Sequence, residues 1–119
     1  MAHPRPAGEP LENPASAPTA PFLWGVASAA HQIDGNNVGS DYWLLEHLTP
    51  TSFVEPSGDA CDSWQRWRED LALVRGLNLN AYRFSVEWAR VEPEQGRFSS
   101  SVLAHYRAQC VALREAGIA

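Results

Sequence analysis

The segment "NLNAYRFSVEWARVEPEQG", from Asn78 to Gly96, alternates large apolar side chains with small or polar ones at its centre. The apolar side chains are Tyr82, Phe84, Val86 and Trp88, and those between them are Ala81, Arg83, Ser85 and Glu87. A period of two residues with aromatic and β-branched side chains is typical of a strand. The sequence therefore predicts a strand that is apolar on one face and carries a charged arginine, Arg83, on the other.

The segments on either side of this strand have the spacing of helices. Before it, Asp62 is a candidate N-cap, and the apolar residues that follow at helical spacing are Trp64, Trp67, Leu71 and Val74. After it, the serines from Ser99 to Ser101 can cap a second helix, whose apolar stripe is Leu103, Tyr106, Cys110 and Leu113. Gly117 lies where a glycine commonly ends a helix. The sequence thus predicts a helix on each side of the strand.

The segment "FLWGVASAA", Phe22 to Ala30, is a short apolar run that favours a buried strand. The next residues, "HQIDGNNVGSDYW", predict a loop, with a short helical turn around Trp43 to His47. The order strand, loop, helix, strand, loop, helix favours a parallel sheet made of crossover units. Two parallel strands cannot cover both faces of such a sheet, so we expect an incomplete α/β domain of marginal stability.

Composition restricts the other expectations. Residues 1–20 are rich in Pro and Ala and are predicted to be a flexible leader, which leaves residues 21–119 for the domain. The net charge is -5 and the nine basic residues are scattered, which argues against nucleic acid and membrane partners. Cys61 and Cys110 have neither metal-ligand spacing nor the density of a disulfide scaffold, so a cytoplasmic protein is predicted. No residue cluster suggests a metal or a cofactor.

Arg83 has two interpretations on the residues alone. A guanidinium keeps its charge, so it needs an anionic partner when it is buried. In a closed parallel barrel, the inward side chains near the carboxyl ends of the strands lead to an active site. Arg83 could then serve catalysis, or it could form a structural ion pair with Glu87 or with an acid on another strand.

Two longer motifs resemble a known family. "FLWGVASAAHQIDG" and "GDACDSWQRWREDLALVRGLNLNAYRFSVEWARVEPEQG" are similar to the N-terminal part of family 1 glycoside hydrolases, most closely to bacterial members. The resemblance runs from Phe22 to the end of the chain. It implies a (β/α)8 barrel, of which this chain would supply about two of the eight units, and a retaining β-glucosidase-like activity on β-linked sugars or aryl β-glycosides.

The resemblance also implies roles for two residues. Gln32 would hydrogen-bond hydroxyls of the sugar, since an amide both donates and accepts. Arg83 would lie against the nucleophilic glutamate and keep it ionised and oriented. Without the family, Gln32 is more simply interpreted as a loop residue that satisfies backbone groups. His31 and Asp34 replace a tyrosine and a glutamate that are common in the family, and a general acid or base role for His31 is disfavoured.

The carboxylates that the reaction needs are not in this sequence. Retaining hydrolysis uses two carboxylates about 5 to 5.5 Å apart, as acid/base and nucleophile. The family carries them in an Asn-Glu-Pro triplet and a Glu-Asn-Gly triplet, and neither triplet occurs in these residues. The resemblance therefore predicts a chain that holds part of a sugar site and is inactive by itself.

Two alternatives stay open at this point. The chain could be a non-catalytic stub that binds sugar or complements another chain, or it could belong to a different barrel, such as a phosphate-binding isomerase. The phosphate loops of that barrel would follow strands that this chain lacks. The nucleotide sequence beyond the codon of Ala119 would separate the stub from the glycosidase.

Overall fold

A computed structural model describes residues 21–119, and the leader predicted for residues 1–20 lies outside the described part. Two short parallel strands and five helices follow one another in this part. In chain order they are β1 (Gly25–Ala27), α1 (Ala30–Ile33), α2 (Asp41–Glu46), α3 (Ser63–Gly76), β2 (Ala81–Arg83), α4 (Trp88–Val91) and α5 (Ser100–Glu115). The predicted turn near residues 43–47 is therefore the helix α2.

The parallel pairing predicted from the order of elements is present. Gly25 pairs with Ala81 and Ala27 pairs with Arg83, so the two strands end at the same level. The last residue of the chain adds to the other side of β2, because the Ala119 N–H donates to Asn80 O and Ala119 O accepts from the Tyr82 N–H, both at 2.9 Å. These two bonds have the pattern of a parallel bridge. β2 is thus hydrogen-bonded on both of its edges.

The helices α3 and α5 pack on one side of this sheet. The buried centre of the packing is Val74, Leu113 and Ile118, and the partly buried residues against it are Leu71, Leu79, Tyr82, Phe84 and Ala116. Trp64 and Trp67 are half-buried on the same side. Burial of these apolar groups stabilises the β1–α3–β2–α5 arrangement by about 25 cal/mol per Å² removed from water.

The apolar stripe predicted for α5 is only half correct. Tyr106 and Leu113 are buried, whereas Leu103 is 48% exposed and Cys110 is also exposed. The reason is the direction of packing: α5 contacts α3 and α4 along one side, and these two positions lie outside that contact. The predicted caps at its ends are present, because Ser99 Oγ accepts from the Val102 N–H and Gly117 has a φ of +70°.

The strand prediction for residues 81–88 is wrong in its second half. The ladder ends where Arg83 O accepts from the Ser28 N–H at 2.9 Å, and β1 then turns into α1, which leaves the next residues without a partner strand. Glu87 accepts from the Ala89 N–H and so caps α4, which begins at Trp88. The Trp88 ring is 58% exposed as a result. Helix capping within the segment therefore overrides its period-2 pattern.

Two other local predictions need correction. His31 and Gln32 belong to the helix α1 rather than to the predicted loop. Asp62 occupies the N-cap position of α3 but makes no side-chain cap, because its backbone is left-handed with a φ of +54°. Ser63 Oγ instead donates to Asp70 Oδ2 at 2.6 Å within the helix.

We expect Gly25→Ala to destabilise the fold, because β1 and β2 approach closely at this position. A Cβ on Gly25 would overlap the Ala81 carbonyl oxygen and would lie 2.8 Å from the Ala81 Cβ. Forcing the strands apart should cost about 1–3 kcal/mol, as overpacking does in cores. The measurement is the melting temperature of a purified protein that carries residues 21–119.

Gly76→Ala is the matched control for this prediction. Gly76 lies in the last turn of α3, and nothing comes within 4 Å of an added Cβ. Alanine there should raise stability by about 0.5–1 kcal/mol, since glycine has the larger conformational entropy to lose. Equal melting temperatures for the two variants would contradict the close approach inferred for Gly25.

Candidate functional site

Gln32 and Arg83 follow the carboxyl ends of the two paired strands. Arg83 is the last residue of β2, and Gln32 lies in α1, two residues beyond Ala30, where that helix begins. The Ser28 N–H bond to Arg83 O joins the two strand ends directly. In parallel α/β sheets, ligands bind beyond the carboxyl ends of the strands. The fold therefore places both sequence-predicted residues at the edge of the sheet where a site is expected.

The side chain of Arg83 faces away from the helices. Tyr82 and Phe84, its neighbours in sequence, pack against the buried cluster of α3 and α5, and successive strand residues point to opposite faces. Arg83 is exposed, and within residues 21–119 its side chain forms no ion pair. Glu87 is not its partner, because Glu87 Oε2 accepts from Asn37 Nδ2 at 2.6 Å. The Arg83–Glu87 ion pair, one of the structural partners considered above, is therefore absent from the described residues.

Gln32 is exposed as well. Its backbone N–H donates to Ala29 O at 3.0 Å, while its side-chain amide makes no hydrogen bond to any other residue in the part of the chain that the structure describes. The interpretation that this amide satisfies nearby backbone groups finds no support among those residues. Gln32 and Arg83 are thus both exposed beyond the ends of the strands, and within residues 21–119 their polar side-chain groups have no protein partner.

A polar clamp joins the loop after α1 to the segment after β2. Asn37 is buried and donates to Glu87, and Arg90 Nη2 donates to Gly35 O at 2.7 Å. The Arg90 guanidinium also lies over the Trp64 ring, 4.5 Å from its centroid. Because one segment carries Gln32 and the other follows Arg83, the clamp fixes the two candidate residues relative to each other. Sequence reasoning missed it, since Asn37 and Glu87 are 50 positions apart.

Asp34 lies near Arg90 and Glu87 of this clamp, and the pKa of its carboxyl group is shifted. Burial raises its pKa to about 6; the nearby Arg90 opposes the rise, while Glu87 and Asp70 add to it. Asp34 also lines a small, partly open cavity of about 30 Å³ between the sheet and the helices α3 and α5. Such a cavity has room for a water molecule, whereas sugar-sized ligands need about 300 Å³ or more. Neither Gln32 nor Arg83 lines it, so this cavity is not the predicted sugar site.

A second polar cluster surrounds His31. The ring Nε2 lies 3.1 Å from Glu46 Oε2, and Nδ1 lies 3.4 Å from Ser40 Oγ. Glu46 also accepts hydrogen bonds from the Ser57 N–H and from the Ser57 hydroxyl, each at 2.9 Å. The cluster connects α1, α2 and the loop before α3. The sequence spacing of these residues did not predict that Glu46 would be part of a buried cluster.

The imidazole of His31 lies between Ser40 and Glu46, as in a serine-hydrolase triad, but the hydrogen bonds of Ser40 do not suit a nucleophile. The Ser40 hydroxyl donates to Asn37 O at 3.0 Å and accepts from the Trp43 N–H at 3.1 Å as the N-cap of α2. A nucleophilic serine needs its proton directed at the histidine, within about 2.6–3.2 Å. Ser40 is buried and committed to the backbone, so the cluster is not a nucleophilic site.

Among residues 21–119, no group of three His, Cys, Asp or Glu side chains is arranged to hold a metal ion. None of the helices described is both long enough and apolar enough to cross a membrane.

Comparison with known proteins identifies the class of protein. The model of glycosyl hydrolase family 1 matches residues 16–119, and the chain belongs to this family. β-Glucosidase A of Thermotoga maritima is 39% identical over 104 residues, which cover 82% of this chain and 23% of that relative. The chain therefore spans about a fifth of the length of the curated relatives that it matches first, from 18% to 23%.

Solved structures agree with this assignment. The crystal structure of β-glycosidase BGL167 is 61% identical, with a TM-score of 0.79, over 82% of this chain and 23% of that structure. The β-glycosidase from Pyrococcus horikoshii is 39% identical, with a TM-score of 0.74, over 82% of this chain and 22% of that structure. The family match removes the alternative of a phosphate-binding isomerase. The family match also means that the exposed Gln32 and Arg83 are to be interpreted by comparison with glycoside hydrolases.

Proposed function

We propose that this chain is the N-terminal part of a retaining β-glucosidase-like hydrolase that acts on β-linked sugars or aryl β-glycosides. Its strands β1 and β2 would be the first two strands of a (β/α)8 barrel. The observation that carries the proposal is the exposure of Gln32 and Arg83, beyond the carboxyl ends of adjacent parallel strands, in a chain of this family. Solved structures of one relative support a sugar-like ligand, since β-glucosidase of Thermotoga maritima was solved with deoxynojirimycin.

Gln32 would bind the sugar and Arg83 would prepare the nucleophile. The Gln32 amide can donate to one hydroxyl and accept from its neighbour, which fixes a sugar ring in one orientation. The Arg83 guanidinium would face the nucleophilic carboxylate, lower its pKa and hold its plane. That carboxylate and the acid/base carboxylate would come from later strands of the barrel.

The proposed reaction calls for no cofactor. One carboxylic acid protonates the leaving oxygen, the other forms and releases a glycosyl-enzyme intermediate, and water completes the cycle. We also propose a cytoplasmic location, because Cys61 and Cys110 are both exposed free thiols. Exposed free thiols are more typical of reducing compartments than of secreted proteins.

A chimera tests the proposal. Residues 21–119 are joined, at the position aligned with Ala119, to the remaining sequence of β-glycosidase BGL167, so that the chain replaces the matching quarter of that enzyme. We expect this chimera to hydrolyse nitrophenyl β-glucoside with retention of the anomeric configuration. Intact BGL167 is the positive control, and the chimera with its nucleophilic glutamate changed to glutamine is the negative one.

The outcome that contradicts the proposal is a folded but inactive chimera. Folding is judged by a cooperative melting curve and by a circular dichroism spectrum that matches the intact enzyme. A chimera that meets both criteria without turnover shows that residues 21–119 do not supply a working part of a glycosidase site. The non-catalytic stub would then be the better interpretation.

A further inference from the structure

The helix that carries Gln32 is too short to hold its own position. α1 is four residues long, and its N-cap residue, Ala29, makes no side-chain hydrogen bond to it. Helices of one turn are unstable in isolation, so side-chain contacts must fix α1 in the fold. Gln32 itself is exposed and contributes none of these contacts within the described residues. The position of its amide therefore depends on the neighbouring side chains of α1.

His31 makes the most specific of these contacts. Its side chain is 15% exposed, and Nε2 reaches Glu46 while Nδ1 faces Ser40. Its ring also packs against two aromatic rings, with centroid distances of 5.3 Å to Tyr42 and 6.4 Å to Phe53. Because a carboxylate only accepts hydrogen bonds, Nε2 carries the proton toward Glu46. The bond to Glu46 and the two aromatic contacts together fix the orientation of the ring.

Glu46 is a fixed anchor for this contact. Its side chain is 1% exposed, and Ser57 supplies two hydrogen bonds in addition to the one from His31. Burial by itself would raise the pKa of Glu46, but the bonds from Ser57 and His31 lower the pKa below its usual value. A buried carboxylate with three donors is rigid, since leaving any of its bonds unmade is costly. His31 is therefore tied to a part of the structure that does not move easily.

We propose that His31 is a positioning residue that holds α1, and with it Gln32, in the orientation that binds the sugar, with Glu46 as its anchor. This inference rests on the function proposed above. It assigns His31 no proton transfer, because Nε2 donates to the buried Glu46 and the ring packs against Tyr42 and Phe53. It also gives a reason for a histidine at a position where the family often has tyrosine.

The inference is tested in the active chimera with two substitutions at His31. His31→Phe keeps the ring against Tyr42 and Phe53 but removes the bond to Glu46. We expect kcat/KM on nitrophenyl β-glucoside to fall roughly tenfold to a hundredfold, because a displacement of about 1 Å at a catalytic site costs that much. His31→Gln places an N–H donor near the position of Nε2 and should recover most of this loss. His105→Phe is the control.

His105 suits the control because it resembles His31 in environment but lies elsewhere. It is partly buried, stacks on Trp64 with a centroid distance of 3.9 Å, and contacts Gln109 at 2.8 Å from its position on α5. Phenylalanine keeps the stacking on Trp64, over which Arg90 also lies, and removes only the contact with Gln109, so kcat/KM should stay within about twofold. A loss as large as that of His31→Phe would point to general destabilisation and would overturn the inference.

A double-mutant cycle shows whether His31 acts through Gln32. In a Gln32→Ala background, His31→Phe should cost no more than about twofold in kcat/KM, because the group that it positions is already gone. If the fold-losses in kcat/KM of the two single substitutions multiply in the double variant, the inference is overturned while the proposed function stays intact. A parent chimera that folds without turnover would overturn the proposed function and this inference together.

Discussion

Expressed alone, the 119-residue chain is expected to hydrolyse nitrophenyl β-glucoside at least about 10⁴-fold more slowly than a complete family 1 enzyme. The physical reason is that neither carboxylate triplet implied by the family resemblance occurs in these residues. The roles proposed for Gln32 and Arg83 are sugar binding and orientation of the nucleophile, and neither side chain can attack the anomeric carbon or protonate the leaving oxygen. If the chain only binds the substrate weakly, the residual rate of hydrolysis should be close to that of the uncatalysed reaction.

The measurement is a fixed-time assay of the purified chain beside intact BGL167, at equal molar concentration. Complementation supplies the control: a second chain with the remaining sequence of BGL167 is refolded together with the 119-residue chain. Turnover that appears only in the mixture supports the proposal. Turnover of the chain alone at a rate near that of the intact enzyme would show that it contains a complete site.

Much of the fold could be predicted because local chemistry and tertiary packing agree. The helix α5 is capped by Ser99 and ends before Gly117 as predicted, since a capping serine and a left-handed glycine act within a few residues. The pairing of β1 with β2 followed from the alternation of strands and helices. The segment after Arg83 could not be predicted, because its period-2 pattern competes with the cap that Glu87 makes for α4.

Prediction of the candidate site from the sequence was limited in a different way. Gln32 and Arg83 could be named because motif resemblance carries information that spacing does not contain. The pairs that support them could not, because Asn37 meets Glu87 and His31 meets Glu46 only after the chain has folded. Glu46 in particular has the sequence surroundings of a surface acid. Its burial depends on hydrogen-bond donors from Ser57, eleven positions away.

Arg83→Lys in the active chimera is expected to lower kcat about a hundredfold or more, with a small effect on stability. Lysine keeps the positive charge but loses the planar fork that can fix both oxygens of a carboxylate. The nucleophile would remain largely ionised yet would sample wrong orientations. The melting temperature should change by only a few degrees, because the side chain of Arg83 is exposed and forms no ion pair within residues 21–119.

Arg97→Lys is the matched control for this substitution. Arg97 is an exposed arginine whose Nη1 lies 3.0 Å from Glu94 Oε2, three residues earlier in the turn before α5. An exposed pair of this kind contributes about 0–1 kcal/mol, so its replacement should change neither kcat nor the melting temperature appreciably. Both quantities are measured on the same preparations. If Arg83 is a structural tie to a later strand, the pattern reverses: the melting temperature of Arg83→Lys falls sharply while the folded enzyme keeps a near-normal kcat, and Arg83 no longer belongs to the active site.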